Sequence, residues 1–267
     1  MPSAKLSVVS ILLLAMAALL GGCSSQPKDP TAKMTPEEIH ALAKEEIYNI
    51  QYAKGIELLE KLEGRAAGTP LAQQAQLEKA YAYHLSEQPA QAVATLDRFM
   101  RLHPASPAVD YALYLKGLVN FNDNLGLFSR LTRMDLAERD QQAAKESYAA
   151  FRELVTRFPT SRYSSDARAR MTHIVNSLAK YEVHVARYYL SRGAYVAAIN
   201  RAQQAITDYR EAPALEEALH VLIQSYDALN MPELRDDARR VLQANYPQSQ
   251  YISDNAPVTG DPWWKLW

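Results

Sequence analysis

The sequence predicts an all-α protein, built as a repeat solenoid of about five units and ten helices. Three observations carry that reading. The 267 residues include only nine glycines, while Ala, Leu, Gln, Glu, Arg and Tyr dominate; that composition favours helix over strand. A pattern of small, large and small residues recurs at the spacing of a helix pair. Prolines stand at several of the expected unit ends, where they stop a helix.

The pattern is that of the tetratricopeptide (TPR) unit, two antiparallel helices in about 34 residues. Stacked units make a right-handed α-solenoid. The segment from Pro70 to Pro104 fits best, with Ala80 and Ala92 at the helix crossing, Tyr83, Leu96 and Phe99 as large residues, and Pro104 as the stop. A second copy has Ala186, Tyr189, Ala198, Ala202 and Ala205, with Pro213 three residues late. The first unit is weaker. It has Ala43, Gly55, Leu59 and Leu62 but no closing proline.

Pro107 to Pro159 reads as a unit with an insertion. Gly117 takes the crossing position, and Ser147, Phe151, Leu154 and Pro159 repeat the spacing of Ala92, Leu96, Phe99 and Pro104. The surplus residues fall around Asn122 to Arg139. Ser161 to Arg192 holds no Pro or Gly before Gly193, so one long helix is expected there. Pro36, Pro89 and Pro232 each open a helix, where a missing N–H costs nothing. The resulting units are approximately 35–69, 70–105, 106–160, 161–212 and 213–247. Residues 248–267 read as a disordered tail, polar at first and ending Trp263-Trp264-Lys265-Leu266-Trp267. All three tryptophans lie there. They suit either a membrane interface or a docking site on a neighbour or on the last unit.

The N-terminus reads as a targeting segment. Lys5 precedes an uncharged apolar run, Leu6 to Leu20. As a helix that run is about 22 Å long, short of a bilayer's ~30 Å, so a signal peptide over 1–22 is expected. Leu20-Gly21-Gly22-Cys23 resembles the lipobox of bacterial lipoproteins, which implies N-acyl and S-diacylglycerol groups on Cys23. Ser24 in place of Asp implies sorting to the outer membrane. Cys23 is the sole cysteine, so no intrachain disulfide forms. Residues 23–34 read as the lipidated cysteine and a flexible linker.

No catalytic motif appears: GxSxG, HExxH, a P-loop and GxGxxG are all missing from the sequence. The expectation is a protein that is not an enzyme and has neither catalytic residues nor a metal or dissociable cofactor. Glu217 and His220 share a helix face, a spacing that suits a surface hydrogen bond better than a metal. A net charge of −1 argues against nucleic-acid binding. Arg130, Arg133, Arg152, Arg157, Arg162, Arg168 and Arg170 form a basic stretch, read as a solvated face beside Glu153 and Asp166 in preference to an anion-binding surface. The sixteen tyrosines cluster on or near first helices. Tyr83 and Tyr189 are core by position. Tyr52, Tyr81, Tyr111 and Tyr114 are open between core and a peptide-binding groove, for which tyrosine's rigid area and polar tip are suited.

Several runs carry a closer resemblance. Gln73-Gln74-Ala75-Gln76-Leu77, Ala80-Tyr81-Ala82-Tyr83, Asp97-Arg98-Phe99-Met100-Arg101-Leu102-His103-Pro104, Phe158-Pro159-Thr160-Ser161 and Leu178-Ala179-Lys180-Tyr181-Glu182 resemble the BamD family. These are TPR lipoproteins of the outer-membrane β-barrel assembly (BAM) machinery. The resemblance runs from the lipobox region to Pro247 and leaves the Trp tail outside.

It implies a periplasm-facing scaffold at the outer membrane. The N-terminal units would receive the targeting signals of unfolded β-barrel proteins, through Tyr52, Gln73, Gln76, Asp110 and Tyr111. The C-terminal units would dock on the POTRA domains of BamA, through Arg187, Tyr188 and Arg192, with the other BAM lipoproteins as further partners. The alternative is another TPR lipoprotein scaffold, for pilus secretin assembly or for cell-wall and division coordination.

Overall fold

The computed structural model describes residues 29–121 and 134–252, and side chains for 29–121 and 141–252. The signal segment, Cys23, residues 122–133 with Arg130 and Arg133, and the Trp-rich end lie outside the described residues.

Ten α-helices follow one another, with no strand among the described residues. They are α1 Pro36–Tyr48, α2 Tyr52–Arg65, α3 Pro70–Leu85, α4 Pro89–Leu102, α5 Val109–Val119, α6 Met134–Arg157, α7 Ser164–Ser191, α8 Tyr195–Asp208, α9 Leu215–Ala228 and α10 Pro232–Asn245. Each helix packs mainly on its neighbours in sequence, as in a TPR solenoid.

Local chemistry sets the starts. Thr35 and Glu38 cap α1 reciprocally, each side chain bonding the other's backbone N–H. Thr69 caps α3, and Pro36, Pro70, Pro89 and Pro232 open their helices.

The turns inside four units share one geometry. Ile50, Glu87, Gly193 and Asn230 all have positive φ, between 54° and 72°. The next N–H donates back to a carbonyl in the preceding helix: Gln51 to Glu46, Gln88 to Tyr83, Ala194 to Tyr189 and Met231 to Tyr226, at 2.8–3.0 Å. This is the Schellman closure. Only one of the four uses glycine.

Crossings fall at the expected small residues. Ala43, Ala80, Ala92, Ala186 and Ala198 are fully buried. The core divides into three clusters. One joins α1, α2 and the start of α3. One runs from Leu77 through Phe99, Leu113 and Phe151 to Leu178. The last runs from Ala179 to Leu242. Helix α7 has 28 residues, about 42 Å. It serves the second cluster with Ile174 and Leu178 and the third with Ala179, Val183 and Ala186, so it holds the two ends of the stack together.

Four expectations change. Residues 134–139, read as part of the insertion, already belong to α6. Residues 29–34, read as flexible linker, are fastened across the end of α2, because Arg65 satisfies their carbonyls. Gln250–Ile252, read as tail, form a short 3-10 helix, and Tyr251 stacks on His220 at 4.5 Å. Tyr52, read as a first-helix residue, opens the second helix of its unit, because the left-handed turn at Ile50 ends α1 before it.

Candidate functional site

The first helices of units two to four, α3, α5 and α7, bring a run of aromatic and polar side chains together. On α3, Glu78 accepts from Gln74 Nε2 at 2.9 Å and lies 2.6 Å from His40 Nε2 of α1. Tyr81 on the same helix is 42% exposed. On α5, Tyr114 stacks on Tyr163 with ring centres 4.7 Å apart, and Tyr111 meets the same ring at 5.6 Å. The Tyr114 hydroxyl donates to Asp166 Oδ2 at 2.8 Å, and Arg170 Nε donates to that oxygen at 2.6 Å. Arg170 also lies over the Phe121 ring, 4.6 Å from its centre.

The surroundings fix the protonation of this surface. Burial, with Tyr163, Tyr81 and Glu78 nearby, pushes the Tyr111 phenol up to about 12. Burial and the bond to Asp166 push Tyr114 up as well. For Asp166, burial acts upward, but the hydrogen bonds from Arg170 and Tyr114 outweigh it and hold the carboxyl below its usual range. At neutral pH the surface therefore presents hydroxyl donors beside a paired carboxylate.

Asp110 has a positioning role here. Its Oδ2 accepts from Ser161 Oγ at 2.6 Å, which ties the start of α5 to the loop before α7. Gln73 does the same one unit earlier, its Oε1 accepting from Ser106 Oγ at 3.0 Å. Gln73 and Asp110 are 37 residues apart, as are Ala43 and Ala80, and Ala80 and Gly117. The two links are thus one device repeated.

Gln73 and Gln76 do not join the aromatic face. They line a pocket of about 610 Å³ over α3, between α2 and α4, with Glu60, Glu63, Lys79 and Arg98. Glu63 organises it, accepting from Gln76 Nε2 at 3.0 Å, Lys79 Nζ at 2.9 Å and Arg98 Nη2 at 3.0 Å. Tyr52, on α2, lines neither this pocket nor the aromatic face. The five residues expected in one groove therefore divide: Asp110 and Tyr111 on one surface, Gln73 and Gln76 in another, Tyr52 apart.

Toward the C-terminus, Tyr188 is 53% exposed, with Arg192 over its ring at 5.5 Å. Val196, in the first turn of α8, is exposed as well. Arg187 leaves this patch and donates to Glu217 Oε1 of α9 at 2.9 Å. Glu217 is thereby engaged, and His220 faces Tyr251 instead. No group of three metal-ligating side chains occurs among the described residues. In the basic stretch, Arg157 and Arg170 pair with Glu153 and Asp166, and Arg162 covers Tyr163 at 4.8 Å.

Tyr163 is the residue that sequence reading missed, since it precedes α7 and lies outside the small–large template. Its position two after Ser161 was the available signal.

Residues 32–242 match the family described as YfiO, outer membrane lipoprotein. The chain belongs to this family. A relative named outer membrane protein assembly factor BamD, from Neisseria meningitidis serogroup B, is 42% identical over 262 residues, covering 96% of this chain and 98% of the relative. The BamD of Vibrio cholerae is 33% identical over 233 residues, covering 87% and 96%. A solved structure of TPR-like repeats from a kinesin light chain of Podosopora anserina overlaps 81% of this chain and 100% of its own, with a TM-score of 0.34 and 20% identity. The matched residues 32–242 include the aromatic face of α3, α5 and α7 and the Tyr188–Arg192 patch. Among the described residues no helix is long and apolar enough to cross a membrane.

Proposed function

We propose that this chain is a non-catalytic assembly factor for outer-membrane β-barrel proteins, held by lipid on Cys23 at the outer membrane and facing the periplasm. The observation that supports this most is its identity to BamD relatives over nearly the full length of both chains. In this reading the aromatic face of α3, α5 and α7 receives the targeting segments of unfolded barrel proteins. Its rigid phenols offer contact area at low entropy cost, and their hydroxyls stay protonated as donors. The Tyr188–Arg192 patch faces the POTRA domains of BamA, and other BAM lipoproteins complete the assembly. Arg187, bonded to Glu217, supports that surface from behind.

Depletion of the protein in cells tests the reading. Loss of folded barrels from the outer membrane is expected; intact barrels with a selective loss of pili would overturn it. Arg192→Glu is expected to lower recovery of BamA from membranes. Tyr114→Ala together with Tyr163→Ala is expected to lower cross-linking to a barrel-derived peptide while leaving BamA recovery intact.

A further inference from the structure

The segment before α1 is bound far more firmly than a connecting linker requires. Arg65 stands at the last turn of α2. Its Nη1 donates to the carbonyls of Thr31 at 2.5 Å and Met34 at 3.4 Å, and its Nη2 to Thr31 Oγ1 at 3.2 Å and Asp29 Oδ2 at 3.1 Å. Asp29 Oδ1 accepts from Lys61 Nζ at 3.1 Å, from Thr31 N at 3.0 Å and from Thr31 Oγ1 at 2.8 Å. Thr31 is completely buried, and Met34 packs on the first core cluster. Residues 29–34 form a strap across one end of the solenoid.

The strap sets a distance. Cys23 lies six residues before Asp29. Even fully extended, six residues reach only about 20 Å. The 14 residues of α2 span about 21 Å, with Arg65 at one end and the Ile50 turn at the other. A lipid on Cys23 therefore lies within reach of the Arg65 end.

We propose that the Asp29–Thr31–Arg65 strap orients the solenoid on the bilayer, bringing the exposed α2–α3 loop, Ala67 and Gly68, against the lipid headgroups and turning the Ile50 and Glu87 turns away. The inference rests on the lipid anchor at Cys23. Lys61 and Arg65 are already paired with Asp29 and Glu57, so tether length holds this face to the bilayer. The orientation is accordingly insensitive to salt.

The test uses full-length lipidated protein in phosphatidylethanolamine–phosphatidylglycerol vesicles containing a headgroup-level quencher. Cys23 is acylated, so Ala67→Cys and Glu87→Cys each accept a single fluorophore. The probe at 67 is expected to be quenched several-fold more than the probe at 87, at low and at high salt. Arg65→Ala is expected to abolish the difference while vesicle flotation persists. Should Arg65→Ala fail to fold, Asp29→Ala releases the strap from its other side and is expected to do the same. Equal quenching at the two sites in the intact protein overturns the proposal, as does a difference that survives both substitutions. Flotation of Cys23→Ser protein reports on the anchor by itself: its persistence would remove the lipid on which the orientation depends. Loss of Thr31 amide protection in Arg65→Ala reads the strap independently of any membrane.

Discussion

The Phe151 ring occupies the space where a side chain at Gly117 would stand. A Cβ on Gly117 would meet Phe151 Cε1 at 2.3 Å and Cδ1 at 2.6 Å. Ser147 Oγ adds a bond to the Gly117 carbonyl at 2.8 Å. The Phe151 ring and the Ser147 hydroxyl of α6 thus pack directly on the Gly117 backbone of α5.

Gly117→Ala is therefore expected to destabilise the protein. Phe151 is fully buried and its ring would have to shift, so overpacking costs about 1–3 kcal/mol. Ala92→Leu is expected to cost a similar amount, because Ala92 is fully buried at the α3–α4 crossing. Urea unfolding with an unchanged slope and a lower midpoint is the measurement.

Ile50 makes the opposite prediction. It is a β-branched residue at φ 63° and is 70% exposed. The left-handed conformation costs an L-residue roughly 1–2 kcal/mol, and glycine avoids most of that. Ile50→Gly should raise stability by about 1 kcal/mol after glycine's own entropy cost. An unchanged or lower urea midpoint would show that the Ile50 side chain contributes contacts that offset its strain.

The strap carries a pH signature. Hydrogen bonds from Thr31 and Lys61 lower the Asp29 carboxyl from 3.8 to about 2. A carboxyl depressed on folding contributes stability that is complete above its unfolded value and lost as pH falls through its folded value. The strap should therefore hold at pH 4 and release near pH 2. The Thr31 amide proton, bonded to Asp29, should report that midpoint by NMR, and Asp29→Asn should abolish the titration.

Glu182 and Arg201 tie α7 to α8. The Glu182 side chain is 4% exposed and accepts from Arg201 Nη1 at 3.0 Å. Arg201→Ala leaves a buried carboxylate without this partner, at a cost of about 1–3 kcal/mol. Glu182→Gln in the same background should recover part of the loss, since it removes the buried charge. Non-additive thermal melts across this pair of substitutions are the check.

Much of the fold was legible because it depends on contacts near in sequence. Proline at a helix start, Thr35 with Glu38, and small residues at a crossing act over a few residues or one helix pair. The helix pairs follow from these, including the long α7 and the crossing at Gly117. The site was less legible. Gln73 and Gln76 carry the same residue types as a peptide groove, yet they line the pocket between α2 and α4. Nothing in their spacing states which side of α3 the neighbouring units leave open. Tyr163 and Tyr114, 49 residues apart across the insertion, meet only because α5 and α7 stack. Likewise Arg65 finds Thr31 only once α2 has folded back beside the segment that precedes α1.

By itself, the sequence determined the helices and their pairing into TPR units, since these rest on periodicity and short-range sterics. Only the tertiary structure decided which tyrosines share a surface, where the glutamines point and how the N-terminal segment is held. Those depend on how successive units rotate against one another, an outcome of many weak packing contacts summed along the stack.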